Sequence, residues 1–222
     1  MKVLIYVEGP SDRYGLEALL EPVLSEGQRH GVGIRLLPLK DKASILNDSA
    51  RKAADHLAEH PEDWVFALPD LYPMSVYDGT PNAHRSFPAL EQLLRARFAA
   101  RAQKVGVPAA AHSRFRVHCL KHDLEVLLLA APDQLRERLR TGDALRGRWR
   151  NPVEDQNDQQ PPKRIVEALF DQYRKKPSYV DTVDAPWILK RASLEISTTA
   201  CPQRFAPFVS ELRRLAGGGT LP

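Results

Sequence analysis

Thiols are nearly missing from this chain: Cys119 and Cys201 are the only two cysteines among 222 residues. Two are too few for a disulfide framework or a thiolate zinc cluster, and both sit in apolar context, so they read as reduced core thiols. No apolar run approaches the roughly 18 to 20 residues that a membrane helix needs. The opening residues 1–9 (MKVLIYVEG) are too short and too soon acidic for a secretory signal, so the expected location is the cytoplasm. Also absent are a G-x-x-x-x-G-K-S/T loop, a protein-kinase signature and a G-x-S-x-G elbow, which argues against nucleotide-kinase and Ser-His-Asp chemistry. His118 and His122 are spaced for a metal, but the first falls in an expected strand and no thiolate or second helical histidine completes a zinc set.

What is there is a globular composition, 43% hydrophobic and 27% charged, long enough for one core and a smaller appendage. The net charge of +4 hides an asymmetry: residues 1–70 carry 8 Lys/Arg against 12 Asp/Glu, and residues 71–222 carry 24 against 16. The acidic part suits a cation site and the basic part could hold a polyanion, although a charge-rich helix face is more often simply solvated.

Residues 3–20 organise the rest. Residues 3–7 (VLIYV) read as a strand buried on both faces, with Glu8 at its carboxyl end. Gly9-Pro10 breaks the strand, Ser11 is the expected helix N-cap with Asp12 in the first turn, and Leu16, Leu19, Leu20, Val23 and Leu24 recur at helical spacing. A second strand over residues 34–39, a helix from residues 40–44 to about His60 and a third strand over residues 64–68 follow. This alternation implies right-handed crossovers and a parallel sheet, whose ligands bind outside the carboxyl ends of the strands. Glu8 and Asp70 then share one edge. Two converging carboxylates repel unless a cation sits between them, and hard oxygen ligands suit Mg²⁺ or Mn²⁺. Lys40 and Lys42, at a strand-to-helix turn, suit a phosphate; plain surface lysines are the alternative.

Residues 73–86 lack periodicity and are expected as a long mobile loop over the carboxyl edge. Ser86 and Pro88 start another helix, and residues 114–120 (RFRVHCL) alternate as a fourth strand. His122, Asp123 and Glu125 then precede a very apolar helix, so they must be paired or point into a site, because buried unpaired charge is costly. From Pro132 the chain reads as arginine-rich and helical, with helices over residues 162–175, 185–194 and 202–216. The expected organisation is α/β: a core over residues 1–131, with a mainly parallel sheet of about four strands flanked by helices, and a mostly helical C-terminal part over residues 132–222 packed on it.

Three blocks in this order resemble the Toprim superfamily, the metal-binding fold of topoisomerases, primases and the overcoming-lysogenization-defect nucleases. More narrowly they resemble a bacterial family of Toprim-like domains found beside ATPase genes in defence loci. Residues 7–20 (VEGPSDRYGLEALL) are similar to its V-E-G-x-T/S-E/D strand and helix, which puts Glu8 at the Toprim glutamate. Residues 68–74 (LPDLYPM) match D-x-Y, with Asp70 in place and Tyr72 where other Toprim proteins carry the second aspartate of D-x-D. Residues 122–130 (HDLEVLLLA) are similar to H-E-F-E-A-L-L, aligning Asp123 and Glu125 with its acids. Residues 161–176 (PPKRIVEALFDQYRKK) resemble the family's P-x-K-R segment ending in Y-x-K.

The resemblance implies a Rossmann-like sheet with a divalent-metal site at Glu8 and Asp70, joined by Glu125, with Tyr72, His122 and Asp123 around it. It implies Mg²⁺- or Mn²⁺-dependent nuclease or phosphodiester chemistry in a bacterial defence system, with nucleic acid and an ATPase as partners. Glu8 would then handle the proton, and Lys42, Lys163 and Lys175 are candidate phosphate clamps. The alternative is a catalytically degenerate Toprim-like module that binds a partner ATPase or nucleic acid. A small-molecule phosphotransferase is a third reading, without a phosphate loop to support it.

Overall fold

The structure is a computed structural model that describes residues 1–156, 159–174 and 178–221. The elements run β1 (Lys2–Val7), α1 (Pro10–Leu19), α2 (Glu21–Arg29), β2 (Gly33–Pro38), α3 (Lys42–Glu59), β3 (Trp64–Ala67), α4 (Phe87–Val105), β4 (Phe115–Val117), α5 (Glu125–Leu129), α6 (Pro132–Leu139), α7 (Pro162–Arg174), α8 (Asp181–Leu189), α9 (Leu194–Ala200) and α10 (Phe205–Ala216). The strands pair in parallel in the order β2-β1-β3-β4, an α/β sheet flanked by helices.

Strand β1 lies inside the sheet, with Val3 opposite Ile34 on one side and Trp64 on the other. Its side chains alternate between the two faces as a pleated strand requires. Val3, Ile5 and Val7 enter a core shared with Leu16, Phe170, Phe205, Phe208 and Leu212, whereas Leu4 and Tyr6 enter a second core with Ile45, Leu46, Leu90 and Leu94. The C-terminal helices therefore bury their aromatic residues in the same apolar layer as α1. Gly15 makes this close packing possible, because a Cβ there would lie 2.7 Å from Leu124 and 3.1 Å from Leu189. Among the described residues no helix is long and apolar enough to cross a membrane.

Three local expectations are corrected. Helix α1 starts at Pro10 with Gly9 as N-cap, so Ser11 lies inside the first turn, and the Asp12 carboxylate accepts the Gly9 amide at 2.8 Å. Proline suits that first position because it has no amide to leave unpaired. The helix expected through Leu24 divides at Leu20, since Pro22 in the opening turn of α2 cannot continue the α1 hydrogen-bond ladder. The segment expected as one helix over residues 185–194 is α8, begun earlier at Asp181, and then α9 with Ser193 capping Ile196.

Residues 73–86 contain a 3₁₀ turn, Met74–Tyr77, and are tied down rather than loose. The Arg97 guanidinium donates to Leu46 O at 2.8 Å, Asn82 Oδ1 at 2.7 Å and Pro81 O at 2.9 Å, and Asn82 Nδ2 donates to Asn47 Oδ1 at 3.0 Å. The segment therefore forms a fixed wall beside the carboxyl edge.

Candidate active site

Parallel strands end on one edge, and three of them deliver carboxylates there. Glu8 follows β1 directly, Asp70 follows β3, and past β4 the chain keeps pairing with the continuation of β3. His118 N donates to Ala67 O at 2.9 Å, Leu120 N to Pro69 O at 3.1 Å and Leu71 N to Leu120 O at 2.8 Å. That extended ladder carries Asp123 to the same edge. Glu125 opens α5, 3% exposed, and Asp70 is 8% exposed.

The Asp70 amide donates to Glu8 Oε1 at 3.0 Å, which locks the two acidic residues side by side. Burial pushes the Glu8 carboxyl up to about 7; Lys42 and the Asp70 amide oppose the rise, and Asp12 and Asp123 add to it. Burial, with Glu8 and Asp12 as further causes, holds Asp70 well above the usual carboxylate range against the pull of Lys42. Asp12 is raised by burial too, although the Gly9 amide stabilises its charged form. Burial lifts Asp123 to about 6 while Lys163 and Lys42 pull it down. Glu125 rises to about 7 through burial and the Asp123 charge, with Lys163 opposing. The carboxylates thus form two neighbouring groups, Glu8 with Asp70 and Asp12, and Glu125 with Lys163, linked by Asp123.

Two lysines face these acids. Lys42 starts α3, whose N-cap Asp41 accepts the Ser44 amide at 2.8 Å. Its Nζ donates to Tyr72 O at 2.5 Å. The turn before it holds Lys40 at φ 97, a left-handed conformation that strains a non-glycine residue. Lys163 starts α7 beside Pro162; burial lowers its pKa, but Glu125, Asp181 and Asp123 outweigh that and leave it raised. Lys175 lies outside the described residues.

Tyr72 and His122 stack with ring centroids 5.1 Å apart. They line a cavity of about 470 Å³ together with Ser75, Asp123, Lys163, Arg164 and Glu167. Three further residues belong to the site. Asp12 was legible, because it occupies the acidic position of the V-E-G-x-T/S-E/D block. Tyr77, from the fixed wall, has its hydroxyl pKa raised by burial and then by Glu8 and Asp70. Tyr179 has a buried hydroxyl raised by burial and by Glu125. Nothing in the spacing of either tyrosine pointed to the site.

The donor set of the edge fits a hard divalent cation: the groups are carboxylates, Asp70 and Glu125 buried and Glu8, Asp12 and Asp123 half-buried, and they outnumber the two lysines that face them. Magnesium sites commonly use one or two carboxylates and complete the shell with water and substrate phosphate, so the Glu8–Asp70 pair is sufficient in kind. Among the described residues, the trio whose donor atoms all lie within 4.8 Å of one another is His60, Glu62 and Asp63. It sits at the opposite end of the sheet, where Asp63 already accepts the Lys2 amide at 2.6 Å and lies 3.0 Å from His56 Nε2.

Residues 7–213 match a family described as a domain of unknown function, DUF4276. No curated protein matches the chain. Among solved structures, the chain is similar to the C-terminal region of the Burkholderia pseudomallei OLD protein, at 13% identity and a TM-score of 0.48, covering 96% of this chain and 98% of that one. It is also similar to the C-terminal region of the Xanthomonas campestris pv. campestris OLD protein, at 15% identity and a TM-score of 0.46, covering 96% and 95%.

Proposed function

The chain belongs to the DUF4276 family, and we propose that it is a divalent-metal-dependent nuclease or phosphodiester-transfer protein of the Toprim-like class. The observation that carries this reading is the hydrogen-bonded Glu8–Asp70 pair, half-buried and buried respectively, at the carboxyl edge of a parallel sheet with Lys42 against it. Glu8 and Asp70 would hold the cation, with Glu125 joining them as the resemblance implies. A cation bound there supplies Lewis-acid polarisation of a phosphate oxygen.

The remaining work falls to the chain's own groups. With no cation present, Glu8 is pushed up to about 7 by burial and is shared between protonated and ionised forms near neutrality, so taking up the cation there would release its proton. Lys42 uses one ammonium hydrogen on Tyr72 O and keeps two donors for a phosphate oxygen. Lys163 stays charged beside Glu125 and Asp123 and offers a second clamp. The resemblance of the three blocks adds Mg²⁺ or Mn²⁺ as the ion, nucleic acid as the substrate, an ATPase partner and a role in bacterial defence.

A second reading, a non-catalytic module for an ATPase or a nucleic acid, is favoured by one observation. Where a second aspartate would extend the site, Tyr72 turns its ring onto His122. Calorimetry with Mn²⁺ on the wild type and on Asp70→Ala separates the two. Binding in the micromolar-to-millimolar range that the substitution abolishes supports the metal enzyme, whereas no heat from either protein favours the module. Glu8→Gln should then cut phosphodiester cleavage by about 10²-fold or more, and full activity in that protein would remove Glu8 from its role.

A further inference from the structure

The cavity beside the carboxylates differs from them in character. Its lining includes the Tyr72–His122 stack, with rings 5.1 Å apart and 25° from parallel, and the charged residues Lys163, Arg164, Asp123 and Glu167. Tyr72 is held at both ends of its backbone: its amide donates to Lys121 O at 3.2 Å, and its carbonyl accepts Lys42 Nζ at 2.5 Å. The same Lys42 faces Glu8 and Asp70, and Asp123 belongs to both the cavity lining and the carboxylate group. The Tyr72–His122 platform and two cations therefore share one cavity with Asp123 and Glu167, and Asp123 is the link from it to Glu8 and Asp70. At about 470 Å³ the cavity is in the size range that takes a small organic group.

We propose that this cavity receives one unpaired nucleobase of a nucleic acid whose adjoining phosphate lies at Glu8 and Asp70, so that the substrate is single-stranded or locally unpaired. The inference rests on the nuclease reading above. Each base in a duplex is stacked and paired, and presenting one to Tyr72 would require extruding it at a cost of a few kcal/mol. A single strand offers its bases without that cost, and stacking on an aromatic ring accepts any base because every base has a π face. Lys163 and Arg164 then meet the backbone phosphates on either side of the stacked nucleotide.

The test uses the full chain, Ca²⁺ in place of Mg²⁺, and a short oligonucleotide carrying one 2-aminopurine, read by fluorescence quenching and anisotropy. The single strand should bind about tenfold tighter than its duplex, and its fluorescence should be quenched on binding. Tyr72→Ala should weaken single-strand binding about tenfold and remove the quenching, while Tyr72→Phe retains both. Equal affinity for single strand and duplex, or quenching that survives Tyr72→Ala in a protein of unchanged circular dichroism, overturns the inference. Cleavage assays with Mg²⁺ keep the two readings apart. Tyr72-dependent quenching without cleavage of any strand supports the pocket and removes the nuclease. Cleavage of single and double strands alike, indifferent to Tyr72→Ala, keeps the nuclease and overturns the pocket.

Discussion

Asp70 donates its backbone amide to the Glu8 carboxylate at 3.0 Å, a bond between residues 62 positions apart that ties the end of β1 to the end of β3. The bond places the Asp70 carboxylate beside Glu8 in a buried setting, where each charge raises the cost of the other. The site is therefore poised between two ways of removing the repulsion, taking up protons or taking up a cation.

That poise predicts an unusual pH dependence of stability. Folding raises Glu8 from its ordinary 4.5 to about 7 and Asp123 from 3.8 to about 6, so between those values the folded chain binds more protons than the unfolded chain. Stability should then fall as pH rises through that window. In EDTA the melting temperature should be higher near pH 5.5 than near pH 8, and millimolar Mn²⁺ should restore it at the higher pH. A melting temperature that climbs steadily with pH in EDTA would contradict the placement of these carboxyls.

Lys42 is the cation that opposes protonation of both Glu8 and Asp70. Lys42→Met should raise both carboxyl pKa values, and the pH at which Mn²⁺ binding reaches half its maximum should move up by about one unit. Lys42→Arg keeps the charge and should leave that midpoint near the wild-type value. Calorimetric titrations across pH 6 to 8 would read the shift, and identical midpoints in Lys42→Met and wild type would place Lys42 outside the site's field.

Much of the sheet was legible because its strands are short apolar runs. Residues 3–7 and 64–68 are unbroken hydrophobic segments, as strands covered on both faces must be, and each ends at a carboxylate. Parallel pairing then places Glu8 and Asp70 on one edge without knowledge of any contact. Helix division at Leu20 was less legible, because the apolar spacing continues through Val23 and only Pro22 marks the break. Tyr77 was legible only as part of the segment expected over the carboxyl edge, and Tyr179 not at all, because it reaches the site through the path of a connecting segment that no local period encodes. The polar run from residue 151 contains Glu154, which is 1% exposed, and its composition alone does not announce that burial.

Glu154 explains how that run is held and supplies a last prediction, this one independent of the site. Its carboxylate accepts the backbone amides of Gln203 at 2.5 Å, Arg204 at 2.9 Å and Phe205 at 3.2 Å. These are amides at the start of α10, which have no partner within their own helix, and a buried negative charge there also complements the helix dipole. Helix α10 buries Phe205, Phe208 and Leu212 in the core that contains α1 and β1, so loosening its start loosens the layer behind the site. Glu154→Ala leaves three buried or half-buried donors without an acceptor and should cost about 2–4 kcal/mol. Glu154→Gln keeps an acceptor oxygen and should lose less. Urea denaturation of the three proteins would measure this, and Mn²⁺ affinity of the folded Glu154→Gln protein should match the wild type, since Glu154 acts on the helix and not on the carboxylate edge.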